Sequence, residues 1–193
     1  MSEGPLIILS GPSGSGKSTV IARLLAAGEL SLRLAVSATT RQRRDRERNG
    51  VHYHFWTREQ FEEGLKAGAF LEWAEVFGNH YGTLRREVEP HRQQGTGVIL
   101  DIDVQGAAQV RRQCPDAITV FLKAPSLEIY EQRLRKRGTE TELAIQRRLA
   151  EARGELEHGP EYDFTVINDD LDRAVAELRD IVQKEFKRGS HAG

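Results

Sequence analysis

Near its N-terminus the chain carries the segment Leu6-Ile7-Ile8-Leu9-Ser10-Gly11-Pro12-Ser13-Gly14-Ser15-Gly16-Lys17-Ser18-Thr19, in which a short apolar run enters a glycine-rich loop. The loop matches the pattern G-x-x-x-x-G-K-[ST], and a helical pattern over Ser18–Ala27 follows it. Glycines at these positions let backbone N–H groups surround phosphate oxygens without Cβ clashes. The N-terminal end of the following helix adds positive potential at the same place. The segment therefore predicts a buried strand, Leu6–Leu9, a phosphate-binding loop and a helix.

Within this loop the residue types indicate the chemistry. Lys17 is placed to bridge the β- and γ-phosphates of a nucleoside triphosphate, and the Ser18 hydroxyl is placed to ligate Mg²⁺. A glycine- and serine-rich turn with a chance lysine is the alternative, but the strand–loop–helix setting argues against it. The residues predicted to hold the triphosphate are Gly11, Ser13, Gly14, Ser15, Gly16, Lys17, Ser18 and Thr19.

Short apolar runs alternate with helical patterns along much of the chain. The further predicted strands are Leu32–Val36, Val98–Ile102, Ile118–Leu122 and Phe164–Ile167. The further predicted helices are Val104–Gln113, Ser126–Arg137, Glu142–Glu157 and Leu171–Lys187. This alternation predicts an α/β fold of the P-loop NTPase type, with a parallel five-stranded sheet flanked by helices.

Two stretches depart from that alternation. Residues 38–96 are polar and rich in arginine and glycine, and they are too long for a structureless loop, so we predict a small inserted α+β domain. Its predicted elements are the strand Val51–Phe55, the helix Arg58–Lys66, the strand Phe70–Phe77 and the helix Arg85–Gln94. Residues 126–158 form an arginine-rich helical pair, predicted to be a lid, which leaves 1–37, 97–125 and 159–193 as the core domain.

Composition narrows the class of partner. The formal net charge is -1 and the pI is near 6.6, so we expect neither nucleic acid nor a membrane surface as a partner, and anion binding must come from local clusters. A single cysteine, Cys114, excludes an intrachain disulfide. No signal-peptide pattern and no apolar stretch near the roughly 20 residues of a membrane span are present, which predicts a cytoplasmic protein. The sequence does not define the oligomeric state.

A carboxylate is expected beside the loop to organise the metal. Asp101 and Asp103 follow a predicted strand at the sheet edge where open α/β sheets bind ligands. Asp101 is the stronger candidate for the metal, because Asp103 has the alternative of capping the helix that begins near Val104.

An arginine cluster in the inserted stretch predicts a second anion site. Arg41, Arg43, Arg44, Arg46 and Arg48 occur together, and Tyr53 and Tyr81 follow. Arginine forks bind phosphate oxygens bidentately, and a phosphate acceptor needs alignment and charge neutralisation rather than a general base. A solvated charge run or a nucleic-acid patch is the alternative, although the acidic residues Asp45 and Glu47 interrupt the run.

Several stretches together resemble guanylate kinase. They are Ser37–Arg41, Gly50–Phe55, Phe70–Thr83, Asp101–Ala107, Arg137–Glu142 and Val166–Asp170, and the resemblance extends from the loop to the final helix. It implies ATP-dependent phosphorylation of GMP to GDP with Mg²⁺ as cofactor. It implies that the GMP phosphate is held by Arg41, Arg44, Tyr53 and Tyr81, and that guanine is surrounded by Ser37, Glu72, Thr83 and Asp103. It implies catalytic roles for Lys17, Arg41, Arg137, Arg148 and Asp101, with Asp101 reaching the metal through water and Asn168 lying beside adenine.

The chemistry of Glu72 agrees with that resemblance. The Watson–Crick edge of guanine presents two adjacent donors, which one carboxylate accepts together, whereas adenine presents an acceptor at N1. An unpaired buried polar group rejects the wrong base strongly. A solvent-facing strand residue is the alternative interpretation of Glu72.

The sequence also departs from the family pattern. Arg43 replaces a proline and Arg46 a glycine, which leaves open whether Arg43 or Arg44 contacts the phosphate. In the lid, Arg133 and Arg137 could form a solvated helix face, and we expect only one or two lid arginines to act on the phosphates. His52 and His54 are interpreted as surface residues.

Two other classes compete with a GMP kinase. A guanylate-kinase-like interaction domain, which binds phosphopeptides, would not need the intact Gly16-Lys17-Ser18. A kinase acting on a phosphorylated sugar would not need Glu72 or the stretch Asp101–Gly106.

Overall fold

A five-stranded parallel sheet forms the centre of the molecule. The computed structural model describes residues 3–76, 78–136 and 141–191, with side chains up to residue 187. The strands of this sheet are β1 (Leu6–Ser10), β2 (Leu32–Leu34), β7 (Gly97–Asp101), β8 (Ile118–Lys123) and β9 (Phe164–Ile167), in the order β2-β7-β1-β8-β9. All neighbouring pairs are parallel, as the alternation of strands and helices predicts.

Helices cover both faces of this sheet, and the side chains of β1 explain why. Ile7 and Leu9 pack on one face against the helices α1 (Lys17–Ala27) and α7 (Leu171–His191). Leu6 and Ile8 alternate to the other face, where α4 (Val104–Gln113) packs. Both faces of β1 are buried, which accounts for its continuous apolar run.

A second, four-stranded sheet lies within the predicted inserted stretch. Its strands are β3 (Ala38–Thr39), β4 (His54–Phe55), β5 (Phe70–Val76) and β6 (Asn79–Leu84), in the order β4-β3-β6-β5. The helix α2 (Arg58–Lys66) supplies Phe61 to its core, beside Phe70 and Leu84. The Thr57 side chain accepts from Gln60 N at 3.2 Å, a capping box that fixes where α2 begins.

The predictions for this stretch were only partly right. The predicted strand Val51–Phe55 is wrong in its first half. Gly50 has a φ angle of 72° and residues 50–52 form a turn, so only β4 is a strand. The strands β3 and β6 were not predicted. The helix Arg85–Gln94 is divided into a 3-10 turn, Arg85–Glu87, and the helix α3 (Glu89–Gln93), because Pro90 lacks an N–H and starts a new helix.

The other differences from the prediction lie at element ends. The strand beginning at Leu32 ends at Leu34 rather than Val36, and α7 continues to His191, beyond the predicted Lys187. The helices α5 (Leu127–Lys136) and α6 (Glu142–Glu157) form the pair predicted as a lid, around Tyr130, Leu134, Ile145 and Leu149. Phe77 and Arg137, predicted to end elements, lie outside the described residues.

The two sheets are joined through helix α4. Gln109 exchanges two hydrogen bonds with the backbone of Trp73 on β5, at 2.6 Å and 3.2 Å. Gln113 donates to Leu71 O at 2.7 Å. These side chains form hydrogen bonds with backbone groups of the edge strand β5 that a neighbouring strand would otherwise pair with. They also fix the distance between α4 and β5.

A second joint lies where the chain passes between the two sheets. The Glu87 carboxylate accepts from His54 Nε2 at 2.9 Å, from Arg33 Nη2 at 2.8 Å and from Val36 N at 3.4 Å. Burial works to raise the pKa of Glu87, but the hydrogen bond from His54 and the charge of Arg33 outweigh it and hold that pKa below its usual value. Glu87 therefore connects strand β2 of the first sheet with strand β4 of the second.

We expect Glu87→Gln to lower the free energy of unfolding by about 1–3 kcal/mol near pH 7, because it leaves Arg33 without its ion-pair partner. A folded pKa below the unfolded one stabilises at neutral pH, and this contribution is lost as pH falls through the folded pKa. Urea titration measures the effect. The exposed Glu89→Gln variant is the control, expected to change stability by less than about 0.5 kcal/mol, and equal stability of the two variants would contradict the role of Glu87.

Candidate functional site

The loop between β1 and α1 has the geometry that its glycines predict. Gly11, Gly14 and Gly16 have φ angles of 141°, 93° and 98°, a region that favours glycine. Helix α1 begins at Lys17 without a side-chain cap and without an acidic residue in its first turn. Because Lys17 adds a positive charge to the positive end of a helix, this place is built to receive an anion.

Two side chains brace this loop from outside. Asn168 Nδ2 donates to Ser15 O at 2.7 Å, and a Cβ atom at Gly16 would lie only 2.3 Å from that nitrogen. Arg133 donates to Ser15 O at 3.0 Å, to Gly14 O at 3.3 Å and to Asn168 O at 2.8 Å. The loop carbonyls therefore face protein donors, which leaves the other side of the loop for a ligand.

Arg133 corrects the interpretation of the lid arginines as a solvated face. It lies on α5, and its guanidinium donates hydrogen bonds to three backbone carbonyl oxygens. The sequence gives no signal for this, because Arg133, Arg135 and Arg137 look alike in a helical pattern. Arg135 behaves as expected of a solvated residue, with its ion pairs to Glu131 and Glu142 on the surface.

Asp101 ends strand β7 beside β1, where it pairs with Leu9. Burial raises the pKa of Asp101, and the positive charge of Lys17 opposes that shift. Lys17 Nζ itself contacts Gly11 O. A carboxylate and a lysine thus occur together at the carboxyl edge of the sheet, and Ser18 follows Lys17 in the first turn of α1.

These donors fit Mg²⁺. The ion prefers oxygen ligands and takes most of them from water and substrate phosphates, so one hydroxyl and one carboxylate are a sufficient protein share. Among the described residues, no group of three His, Cys, Asp or Glu side chains could hold a metal by itself. The buried hydroxyl of Ser15 in the same loop has no hydrogen-bond partner in the described part of the chain, as expected of a group that a bound ligand satisfies.

The arginine cluster forms a closed loop around Glu47. Arg41 Nη2 donates to Glu47 Oε1 at 2.7 Å, and Arg44 N donates to Glu47 Oε2 at 2.8 Å. The pairing with Glu47 raises the pKa of Arg41, against the opposing effect of burial, and lowers that of Glu47. The Arg41 guanidinium lies 5.5 Å from the centre of the Tyr53 ring.

The structure also distinguishes the two arginines that the sequence left open. Arg43 Nη1 donates to Glu47 O at 2.7 Å, so this side chain holds the loop in the place where the family has a proline. Arg44 contributes its backbone N–H to the loop, and its side chain is exposed. Arg44 is therefore better placed than Arg43 to reach a phosphate.

Tyr53 and Tyr81 lie beside Arg41, with their ring centres 5.9 Å apart. Burial raises the pKa of Tyr53 to about 12, and the negative charge of Asp101 adds to the shift. Asp101 thus acts electrostatically on Lys17 at the loop and on Tyr53 in the arginine cluster. Lys17 and Tyr53 therefore both lie within electrostatic range of the Asp101 carboxylate.

Glu72 is buried, with 5% of its surface exposed, so the solvent-facing alternative is wrong. Its Oε1 accepts from Thr83 N at 2.8 Å across the β5–β6 pair. Burial raises the pKa of Glu72 to about 7, with a contribution from the nearby charge of Asp103, while the bond from Thr83 opposes the shift. No described cation pairs with this carboxylate.

Asp103 caps helix α4, the alternative that its position left open. Asp103 Oδ1 accepts from Gly106 N at 2.8 Å. This leaves its second carboxylate oxygen for a ligand. Ser37 lies half-buried between β2 and β3, and its carbonyl accepts from His54 N at 2.9 Å.

The lid contributes one residue that the sequence did not predict. Burial raises the pKa of Glu155, on α6, to about 7, and the charge of Lys17 opposes that shift. The end of α6 therefore faces the loop. Arg148 lies half-buried on the same helix, and Arg137 lies outside the described residues.

His54 corrects a further prediction. It is half-buried and bonded to Glu87, whereas His52 is exposed as predicted. Cys114 caps the end of α4 and is half-buried.

The geometry can be compared with known proteins. A family model described as guanylate kinase matches residues 3–185. The chain is 52% identical to a guanylate kinase of Symbiobacterium thermophilum over 96% of this chain and 88% of that protein. It is 48% identical to a guanylate kinase of Neisseria meningitidis over 99% of this chain and 93% of that protein.

This chain belongs to the guanylate kinase family. It is an enzyme of the nucleoside monophosphate kinase class, as full-length similarity to these relatives requires. The crystal structure of guanylate kinase from Anaplasma phagocytophilum is similar in fold, with a TM-score of 0.79 at 32% identity over 96% of this chain and 87% of that one. Within residues 3–76, 78–136 and 141–191, no helix has the length and apolar character needed to cross a membrane.

We expect Arg133→Met to speed amide hydrogen exchange in residues 13–16, because Gly14 O loses its donor and Ser15 O keeps only the bond from Asn168. Hydrogen exchange followed by mass spectrometry measures this change. Arg135→Met, on the exposed side of the same helix, is the matched control and should leave exchange in the loop unchanged. Equal exchange in the two variants would show that Arg133 does not brace the loop.

Proposed function

We propose that this member of the guanylate kinase family transfers the γ-phosphoryl group of ATP to GMP, giving ADP and GDP. The structure supports the proposal at Asp101, which interacts electrostatically with Lys17 of the glycine-rich loop and with Tyr53, whose ring centre lies 5.5 Å from the Arg41 guanidinium. The loop and the arginine cluster would then lie on either side of this carboxylate. A donor phosphate on one side and an acceptor phosphate on the other would meet in line.

The donor side would bind ATP through the glycine-rich loop. Backbone N–H groups around Gly14 and Gly16 would surround the phosphates, and Lys17 would leave Gly11 O to neutralise them. Ser18 and, through water, Asp101 would hold Mg²⁺, which supplies charge neutralisation at the phosphate oxygens when bound. The remaining loop residues in this role are Gly11, Ser13, Ser15 and Thr19.

The acceptor phosphate would bind to Arg41 and Arg44, with the hydroxyl groups of Tyr53 and Tyr81. The phenol of Tyr53 is protonated at neutral pH, and its raised pKa extends that state further into the alkaline range, so it would donate to the phosphate. A phosphate oxygen is already an anionic nucleophile, and these groups therefore need only orient it and neutralise its charge.

Guanine would bind to Glu72, which accepts from the two donors on the edge of the base. The remaining groups around the base would be Ser37, Thr83 and Asp103. Support comes from the Glu72 carboxylate, which is buried without a cation among the described residues, because such a group needs the polar partners that a guanine edge offers.

The lid would complete the site. Arg137 and Arg148 would stabilise charge on the transferred phosphoryl group and exclude water, and Asn168 would lie beside adenine. Asn168 uses its Nδ2 atom to donate to the loop, so its Oδ1 atom would be available to accept from the base. The division into a core, an inserted GMP-binding domain (38–96) and a lid (126–158) belongs to this proposal, and a cytoplasmic location remains a prediction.

The experiment that tests the function supplies ATP, Mg²⁺ and each of GMP, AMP, CMP and UMP in turn, and measures ADP formation. Turnover with GMP alone is the expected result. Equal turnover of all four would refute guanine selectivity. Absence of turnover would favour a phosphopeptide-binding domain of this fold.

We expect Lys17→Ala to abolish turnover and Arg41→Met to raise the KM for GMP by about 10- to 100-fold, the loss expected for one charged hydrogen-bonding group. Steady-state kinetics with GMP varied at saturating ATP measures both effects. Arg46→Met, an exposed arginine of the same loop, is the matched control. Rates like those of the wild type in Lys17→Ala or Arg41→Met would remove that residue from the mechanism.

The kcat/KM for GMP should fall about tenfold per pH unit below about 7, because protonated Glu72 cannot accept from both guanine donors. Glu72→Gln should have a low kcat/KM without this limb. Burial also raises the pKa of Glu155 to about 7, and Glu155 is still present in the Glu72→Gln variant. If the fall in kcat/KM below pH 7 disappears in that variant, the fall is due to Glu72. An identical pH profile in the two proteins would contradict the assignment.

A further inference from the structure

Gly106 approaches the Glu72 carboxylate more closely than any side chain would allow. A Cβ atom at Gly106 would lie 2.5 Å from Glu72 Oε2, 3.1 Å from Glu72 Cδ and 3.4 Å from Asp103 Oδ1. Gly106 is buried in the first turns of helix α4 and has no positive φ angle, so its backbone conformation does not call for glycine. Glycine is therefore needed at this position because it leaves space for the Glu72 carboxylate.

Helix α4 cannot easily move away from Glu72. Its N-terminus is capped by Asp103, which accepts from Gly106 N at 2.8 Å. Farther along, Gln109 and Gln113 hold the backbone of β5 on either side of Glu72, at Trp73 and Leu71. The helix is thus tied to the strand that carries Glu72 at the residues on both sides of Glu72.

The carboxylate has little freedom of its own. Glu72 Oε1 accepts from Thr83 N at 2.8 Å, and 95% of the residue surface is covered, since 5% is exposed. An added methyl group would have to rotate the carboxylate and weaken its bond to Thr83. That rotation would turn the two oxygens away from the orientation that a guanine edge needs.

We infer that Gly106 is a positioning residue, which sets selectivity for guanine by leaving space for the Glu72 carboxylate. The inference rests on the proposed function, because it needs Glu72 to bind the base. Gly106 itself touches neither the phosphates nor Mg²⁺ in this scheme. Its effect is therefore confined to the base of the acceptor nucleotide.

The substitution that tests the role is Gly106→Ala. Alanine is favoured over glycine inside a helix, so the backbone gains from the change and only the carboxylate is disturbed. The KM for GMP should rise by about 10- to 100-fold, with the KM for ATP unchanged and the kcat at saturating GMP within about threefold of the wild type. The preference for GMP over AMP in kcat/KM should fall by a similar factor.

Gly154→Ala is the matched control. Gly154 is also a helical glycine, in α6, and its Cβ would meet no atom within 4 Å. This variant should keep the wild-type KM for GMP. A Gly106→Ala protein that behaves like Gly154→Ala would overturn the inference.

A double-mutant cycle shows whether Gly106 acts through Glu72. In a Glu72→Gln background, Gly106→Ala should have an effect below about threefold on kcat/KM for GMP, because the group it displaces is already impaired. Additive losses in the two variants would overturn the positioning role. The double variant Gly106→Ala/Glu72→Asp has a shorter carboxylate, which leaves room for the added methyl group. It should therefore bind GMP more tightly than Gly106→Ala alone. If Gly106→Ala alone does not fold, the double variant should fold. No recovery would also count against the inference.

The two hypotheses fail separately. A wild-type protein without GMP turnover refutes the proposed function whatever the variants do. A wild-type protein with GMP turnover, together with an unaffected Gly106→Ala variant, refutes only the role of Gly106.

Discussion

The conformation of the phosphate-binding loop depends on hydrogen bonds that its carbonyl oxygens accept from distant parts of the chain. Asn168 follows β9 and Arg133 lies in the lid, yet both donate to Ser15 O. A loop of glycines with positive φ angles loses much conformational entropy on ordering, and these donors offset that loss. The same bonds connect α5, the sheet edge and the loop, so the order of the loop is a property of the whole first sheet and its helices rather than of the local motif.

The two sheets are joined by polar groups as well as by the packing of Leu71 against α4 and the first sheet. Glu87 connects backbone and side chains from both sheets, and Gln109 and Gln113 bind the edge of β5. Polar joints have directional geometry, so they define a relative position without burying a large apolar area. In the proposed scheme, guanine would bind at Glu72, between the two residues of β5 that Gln109 and Gln113 hold.

The sequence predicted the first sheet well because its strands are buried on both faces and its helices have clear periodicity. Phe164–Ile167 and Val104–Gln113 have the predicted bounds. The second sheet was harder to predict, because β3 has only two residues and β6 is rich in polar residues, so neither carries an apolar pattern. Within the site, the loop, Asp101 and Glu72 follow from residue type and motif. Arg133 and Glu155 do not, because their roles arise from which face of a lid helix meets the loop, and a helical pattern with many charges does not define that face.

The burial of Glu72 connects ligand binding with protons in solution. Burial raises its pKa to about 7, so unliganded molecules hold a proton there more readily than an exposed glutamate does, whereas a guanine edge would bind the ionised form. Binding would therefore release a fraction of a proton, and the heat measured by calorimetry would vary with the ionisation enthalpy of the buffer. Because the folded pKa exceeds the unfolded one, the protonated carboxyl favours the native state, and this contribution is lost as pH rises through about 7. Alkaline conditions would thus leave the free protein less stable, and the nucleotide would compensate for that deficit.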